Sequence, residues 1–360
     1  MKLKYGMNPN QEYAEFIDND NLKVLNGNPS VINFMDALNS WQLVKEIDEY
    51  SNTPTAASFK HVTPSGVSIG NTVEKNEKNS YCYNRELNSS LTKAYLKARG
   101  VDRLASFGDF IALSRTVDLE TAKMIRPEVS DGIIAPDFED EALEILKSKK
   151  KGSYVIFQIN NDYVPADIEE RIVFGFKIKQ HRNNLKISDS SLNNIVTENK
   201  DIPDSIKKDL IIGMITLKYT QSNSICAIHN GQVIGIGSGQ QSRILCTELA
   251  LKKANKWYQK TKLDLDKISF PAKASKTEKD QIIELERERV FGDKIMLKEL
   301  DICLCSDGFY PQVDNIELAN KYGVKYIAAP MGSIRDNEII EKCNQYGIVF
   351  VNTGIRLFHH

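Results

Sequence analysis

At 360 residues, with 47 basic residues against 48 acidic ones and a formal net charge of -1, the chain lacks the cationic excess of a nucleic-acid or membrane-surface binder. Its length exceeds the usual limit for one hydrophobic core, which predicts two lobes. No run of about 18 apolar residues occurs and residues 1–6 lack the apolar core of a signal peptide, so the expected location is the cytoplasm, with no membrane or nucleic-acid partner.

In chain order, residues 31–47 carry apolar positions at helical spacing, with Trp41, Leu43 and Val44 on the packed side. Ala56-Ala57-Ser58-Phe59 reads as a strand and Pro64-Ser65-Gly66 as a turn, which places the adjacent cation and imidazole of Lys60-His61 at a strand end. Residues 71–79 are polar and charged, a loop or exposed helix. Residues 139–149 have helical period, and Lys149-Lys150-Lys151-Gly152 follows as a cationic helix end before a strand at 154–159. That lysine run suits either a solvated terminus or a contribution to binding an anion.

Residues 183–202 are rich in Asn, Ser and Asp and are expected to connect the lobes. A helix is predicted over 203–217, then two strands about the turn Asn230-Gly231, a strong hairpin signal. Helices over 241–260 and 276–289 and strands over 300–305 and 323–328 complete an α/β pattern. The six cysteines, Cys82, Cys226, Cys246, Cys303, Cys305 and Cys343, are scattered as reduced thiols would be. Cys303 and Cys305 alternate along a predicted strand and are read as core packing.

Ordered motifs run nearly end to end: Lys4-Tyr5-Gly6-Met7-Asn8-Pro9, Ile32-Asn33-Phe34-Met35-Asp36-Ala37-Leu38-Asn39, Ser58-Phe59-Lys60-His61, Ser106-Phe107-Gly108-Asp109-Phe110, Ser130-Asp131-Gly132-Ile133, Gln221-Ser222-Asn223-Ser224, Gly239-Gln240-Gln241-Ser242-Arg243, Ala329-Pro330 and Arg356-Leu357-Phe358-His359-His360. With them the chain resembles the transformylase half of the bifunctional AICAR transformylase/IMP cyclohydrolase family. The resemblance implies two duplicated cytidine-deaminase-like α/β lobes, residues 1–190 and 191–360, with a helical insertion at about 243–295. It also implies a homodimer with active sites near the subunit interface. Because the motifs begin at Lys4, the expectation is a transformylase standing alone, without cyclohydrolase activity.

The reaction so implied moves a formyl group from 10-formyltetrahydrofolate to the 5-amino group of AICAR ribonucleotide, giving formyl-AICAR and tetrahydrofolate. That amine is delocalised into its ring, so attack needs proton removal and a partner for the carbonyl oxyanion. His61 is the expected base and Lys60 the acid or oxyanion partner, with Asn223 orienting a carbonyl or carboxamide. Asn33 and Asp131 match nucleotide-binding positions, although Asn33 by residue type also suits a helix N-cap. Phe107 and Gly108 lie in a matched motif expected at the substrate. Lys4, Tyr5, Arg243 and Arg356 are candidate phosphate contacts. Phe309, Asp314, Pro330 and Met331 are expected on the folate side. No tightly bound cofactor and no metal-ligand set is expected, although some relatives imply a monovalent cation such as potassium near Ser222, Ser224, Asp307 and the C-terminus.

Lys4 stands where the family has Arg, Asn10 where His is common, Gln312-Val313 where Phe-Arg is familiar, and Met331 where a small residue is usual. These departures bear on phosphate and folate preference. A non-catalytic purine-nucleotide regulator and a formyltransferase of altered substrate preference are the alternative readings. A zinc deaminase is disfavoured because its His-x-Glu and Pro-Cys-x-x-Cys signatures are absent.

Overall fold

The computed structural model describes residues 1–17, 20–81, 83 and 85–360, so Cys82, read above as a reduced thiol, lies outside the described residues. The first half runs β1 (Leu22–Asn26), α1 (Val31–Ser51), β2 (Thr55–Lys60), β3 (Thr63–Ile69), α2 (Lys75–Ser80), α3 (Ser90–Gly100), β4 (Asp109–Leu113), α4 (Leu119–Ile125), β5 (Ser130–Ala135), α5 (Asp140–Lys147) and β6 (Val155–Ile159). A separate hairpin follows, β7 (Ile168–Val173) and β8 (Phe176–His181). The second half runs α6 (Asp204–Lys218), β9 (Ile225–His229), β10 (Gln232–Gly237), α7 (Arg243–Thr261), α8 (Lys276–Phe291), β11 (Ile302–Ser306), α9 (Asp314–Tyr322), β12 (Val324–Ala329), α10 (Asp336–Tyr346) and β13 (Val349–Asn352).

All strands except β7 and β8 join one mixed sheet in the order β1-β6-β5-β4-β2-β3-β10-β9-β11-β12-β13. Each half contributes an antiparallel hairpin beside three parallel strands, β4-β5-β6 or β11-β12-β13, and the halves meet at the antiparallel β3–β10 pair. Apart from the short α2 in the first half and α8 in the second, the order helix, hairpin, helix, strand, helix, strand, helix, strand therefore occurs twice. Between α7 and β11, residues 262–301 carry α8, which has no counterpart between α3 and β4.

Burial on both faces explains the apolar runs at residues 110–113 in β4, 225–228 in β9 and 302–305 in β11. Along β4, Ile111 and Leu113 enter the core under α3, α4 and α5, whereas Phe110 and Ala112 enter the core under α1 and α6. In the latter core Phe34, Phe110 and Phe157 form a chain with ring centroids 4.8 and 5.8 Å apart. Each such buried ring contributes about 2–3 kcal/mol. Cys303 and Cys305 are fully buried in the same core, as their alternation predicts, and burial pushes the Cys303 thiol well up. No helix among the described residues is long and apolar enough to cross a membrane.

The predicted turn at Pro64-Ser65-Gly66 is not one: these residues lie inside β3. The chain reverses at His61-Val62, with Lys60 opposite Thr63. A register shift between Ser58 and Phe59 accommodates Pro64, which has no N–H for the ladder. Gly66 serves close packing instead, since a Cβ there would stand 2.1 Å from the Ala98 carbonyl of α3. The lysine run also differs from the simple helix cap expected of it. The Lys149 ammonium is buried and donates to the carbonyls of Ile125, Arg126 and Glu128 at 3.0, 3.1 and 2.7 Å, closing the end of α4.

Candidate active site at one edge of the sheet

The pairing of Val67 with Val233 sets the direction of the seam. From there β3 runs back to Thr63 and β10 runs on to Gly237, so the His61-Val62 turn and the start of the 238–243 loop lie at the same sheet edge. Two groups of side chains gather along it.

The first group surrounds Lys60-His61. The Lys60 ammonium donates to the Phe107 carbonyl at 2.7 Å, bringing β2 against the 102–108 loop that also carries Gly108. Phe107 itself is 46% exposed, an aromatic surface left facing solvent. His61 and Val62 both hold left-handed backbone, φ 54° and 59°. The buried Asp36 of α1 accepts the Val62 N–H at 2.6 Å. Burial raises the Asp36 carboxyl to about 6, opposed by the Val62 N–H and by His61 and reinforced by Asp131. Asp131 pairs with Lys150 at 2.6 Å, so one member of the lysine run does reach this group. Asn33, one turn before Asp36, is not the N-cap its residue type suits: Ser30 holds that position and Asn33, three residues on, accepts the Ser30 N–H at 3.0 Å from inside the first turn. The Lys4 N–H bonds the Pro29 carbonyl at 3.1 Å, which sets Lys4 and Tyr5 beside that helix start. The Lys4 ammonium lies 5.5 Å from the Tyr5 ring centre.

Behind the first group is a buried polar network. Ser58 donates to Asp109 at 2.6 Å, and the hydroxyls of Ser65 and Ser106 lie within 3.0 Å of that of Ser58 or of each other. Burial raises the Asp109 carboxyl to about 6, with Arg99 and the Ser58 hydroxyl opposing. Burial also acts to raise Glu128, but Arg103, Arg99 and Lys276 hold it down at about 2.

The second group centres on Arg243, at the start of α7. Its guanidinium bonds Asp307 at 2.5 Å, Ser306 at 2.9 Å and the Asn223 amide oxygen at 2.7 Å. The Asn223 amide nitrogen donates to the Gln240 carbonyl at 2.9 Å. Ser222 donates to the other Asp307 oxygen at 2.6 Å and its oxygen accepts the His359 N–H at 3.1 Å. The C-terminal segment is thus fastened to this group, with the Arg356 guanidinium 4.8 Å from the Phe358 ring centre. Asp307 and Pro330 follow the carboxyl ends of the parallel neighbours β11 and β12, the position at which open α/β sheets receive ligands. Phe309 is 44% exposed there. Met331 donates its N–H to Asn352 at 3.1 Å, and Asp314 begins α9, accepting the Asn315 N–H at 2.7 Å.

The candidate residues therefore fall into two sets: Lys4, Tyr5, Asn33, Lys60, His61, Phe107, Gly108 and Asp131 in the first half, and Asn223, Arg243, Phe309, Asp314, Pro330, Met331 and Arg356 in the second. Among the described residues no hydrogen bond or ion pair joins Lys60 or His61 directly to Asn223 or Arg243. Reading by residue type missed Asp36, although a carboxylate on the stripe of Phe34, Ala37, Ser40 and Trp41 is a visible sequence anomaly.

The family model described as AICARFT/IMPCHase bienzyme matches residues 1–253. A Clostridium beijerinckii protein described as bifunctional purine biosynthesis protein PurH is 33% identical over 365 residues, covering 99% of this chain and 58% of that protein. A PurH of the same description from Clostridium botulinum (strain Hall) is 32% identical over 367 residues, covering 100% of this chain and 59% of that protein. The chain thus spans somewhat under three fifths of the length of these relatives. On the extent of the family match, the chain belongs to the AICARFT/IMPCHase bienzyme family.

Proposed function

We propose that this protein transfers a formyl group from 10-formyltetrahydrofolate to the 5-amino group of AICAR ribonucleotide, yielding formyl-AICAR and tetrahydrofolate in purine biosynthesis. The observation that carries the reading is the strand-end pair Lys60-His61, with Lys60 on the Phe107 carbonyl and with His61 and Asp131 both acting on the buried Asp36 carboxyl, in a chain of this family. In this reading His61 takes the proton from the attacking amine, directly or through the carboxamide. Lys60 stabilises the carbonyl oxyanion or protonates the leaving folate nitrogen, and Asn223 orients the polar group between them. Lys4, Tyr5, Asn33, Asp131, Arg243 and Arg356 would receive the nucleotide, with Phe107 and Gly108 also at the substrate. Phe309, Asp314, Pro330 and Met331 would receive the folate. The catalytic form is read as a homodimer of two deaminase-like duplicated units.

The monovalent cation implied by the resemblance fits the residues present. The Ser224 hydroxyl is fully buried and, among the described residues, has no hydrogen-bond partner, while the Ser224 N–H bonds the Asp307 carboxylate at 3.0 Å, the same oxygen that accepts from the Ser222 hydroxyl, and the Ser222 N–H bonds the His359 carbonyl at 3.1 Å. An all-oxygen set of this kind suits a hard cation. Ser222, Ser224, Asp307 and His359 would hold it, and its charge would fix Asp307 and so the orientation of Arg243.

The test is to follow tetrahydrofolate and formyl-AICAR with purified protein, AICAR ribonucleotide and 10-formyltetrahydrofolate, reading IMP in the same samples. Turnover is expected, and His61→Ala should lower kcat on the order of 10²- to 10⁴-fold. Nucleotide binding without turnover, across donor and potassium conditions, would replace this reading with that of a regulator.

A further inference from the structure

Both central residues of a two-residue hairpin of this type need positive φ, which is why Asn-Gly is its usual occupant. Here the occupants are His61 and Val62, at φ 54° and 59°. A β-branched residue in that region is a genuine outlier, and such strain persists only where the surroundings over-determine it. Asp36 supplies a restraint: it is 6% exposed, lies on the core-facing side of α1 and accepts the Val62 N–H at 2.6 Å. The same device occurs in the other half. Asp209 occupies the sixth residue of α6, as Asp36 occupies the sixth of α1, and accepts the N–H groups of Asn230 and Gly231 at 2.8 and 2.6 Å.

We propose that Asp36 is a positioning residue for His61: by accepting the Val62 N–H it holds the strained turn in the one conformation that presents the imidazole and the Lys60 ammonium together at the sheet edge. The proposal rests on reading His61 as the base. Its atomic content is narrower, namely that the hydrogen bond, rather than the charge, of Asp36 keeps the turn in place.

Four variants of the full chain test it: Asp36→Ala, Asp36→Asn, Val62→Gly and the double Asp36→Ala/Val62→Gly. Asp36→Ala should lower kcat on the order of tenfold to a hundredfold, as small displacements of a reacting group do, with nucleotide KM little changed. Asp36→Asn keeps an acceptor for Val62 and should retain most of the turnover. Glycine accepts positive φ without strain, so the double variant should recover much of what Asp36→Ala loses. In parallel, protein labelled with ¹³C at histidine Cε1 has five imidazoles to report on, and His61→Gln identifies the His61 signal. That signal should shift or broaden in Asp36→Ala and return in the double variant. If no turnover is found in the parent while the His61 signal behaves as stated, the positioning role stands and the formyl-transfer reading falls. If the parent turns over and His61→Gln abolishes it, the proposal is overturned by an unchanged kcat and His61 signal in Asp36→Ala. It is also overturned by Asp36→Asn losing as much as Asp36→Ala, or by no recovery in the double variant.

Discussion

The β9–β10 turn uses Asn230-Gly231 at φ 49° and 70°, residues suited to that backbone, and Asp209 binds both of its N–H groups. The β2–β3 turn has the same geometry at His61-Val62, residues unsuited to it, and Asp36 binds one N–H. The two turns differ in what their side chains are free to do. Asn230 is engaged with Asn71, and its carbonyl also faces the buried Lys97 ammonium, so that turn is locked into the opposite sheet edge. The His61 turn lies beside an ammonium, two carboxylates and an exposed aromatic. Local strain has been kept where an imidazole is presented and removed where only chain reversal is required.

The strongest way to break the comparison is to exchange the turns. Replacing His61-Val62 by Asn-Gly should reduce kcat on the order of 10²- to 10⁴-fold in the formyl-transfer assay. The same variant should gain about 1–2 kcal/mol in denaturant unfolding as two unfavourable conformers are relieved. A variant that keeps its turnover would remove His61 from the chemistry. The reverse change is the next largest: Gly231→Val imposes φ 70° on a branched residue and places a Cβ 2.6 Å from Ile69 side-chain atoms. It should cost about 4 kcal/mol, read as a lower urea midpoint, because strain and overpacking add.

Titration sharpens the comparison further. Asp36 has a folded-state value of about 6 against an ordinary value of 3.8, so its ionisation opposes folding. The penalty is absent below about pH 4, grows between pH 4 and 6 and is complete above that. Asp36→Asn should therefore gain stability relative to the parent as pH rises from 4 to 7, by up to about 3 kcal/mol. Burial sets the parent's curve, with the Val62 N–H and then His61 on the turn opposing it and Asp131 on β5 adding to it. A flat difference across that range would show that Asp36 titrates normally. The smallest effect expected is that of Asp209→Ala, about 2 kcal/mol from exposing two turn N–H groups to loss of their partner. Its kcat should remain at the parental level, in contrast to Asp36→Ala.

Long elements with one clear period were legible: α1, α6, α7, α8 and the β9–β10 hairpin lie within a few residues of their predicted positions. The Asn-Gly turn was legible because its residues suit its geometry, and the His-Val turn was misplaced to Pro64-Gly66 because its residues do not. The β7–β8 hairpin was not predicted, although Phe176 and Ile178 alternate with Lys177 and Lys179; its apolar residues Ile172, Phe174 and Phe176 are largely exposed, so it adds nothing to either core. At the site, Lys60 and His61 announced themselves by residue type and by likeness to a family. Asp36 did not, because its role depends on a contact between residues 26 positions apart. Lys149 and Lys150 looked alike in sequence, and only folding separates the buried one that closes α4 from the one that meets Asp131.

The join between the halves is the narrowest in the sheet, with two paired positions, Gln232 with Ser68 and Val233 with Val67, where other neighbouring strands pair at four or more. In mechanical terms the backbone of the sheet is two plates joined by a short weld. What the weld lacks in length is made up on its two faces, where each core takes residues from both halves and Tyr219 donates to Glu46 at 2.6 Å and Trp257 to Tyr81 at 3.0 Å, so the Lys60 and Arg243 groups are carried on plates clamped together from both sides.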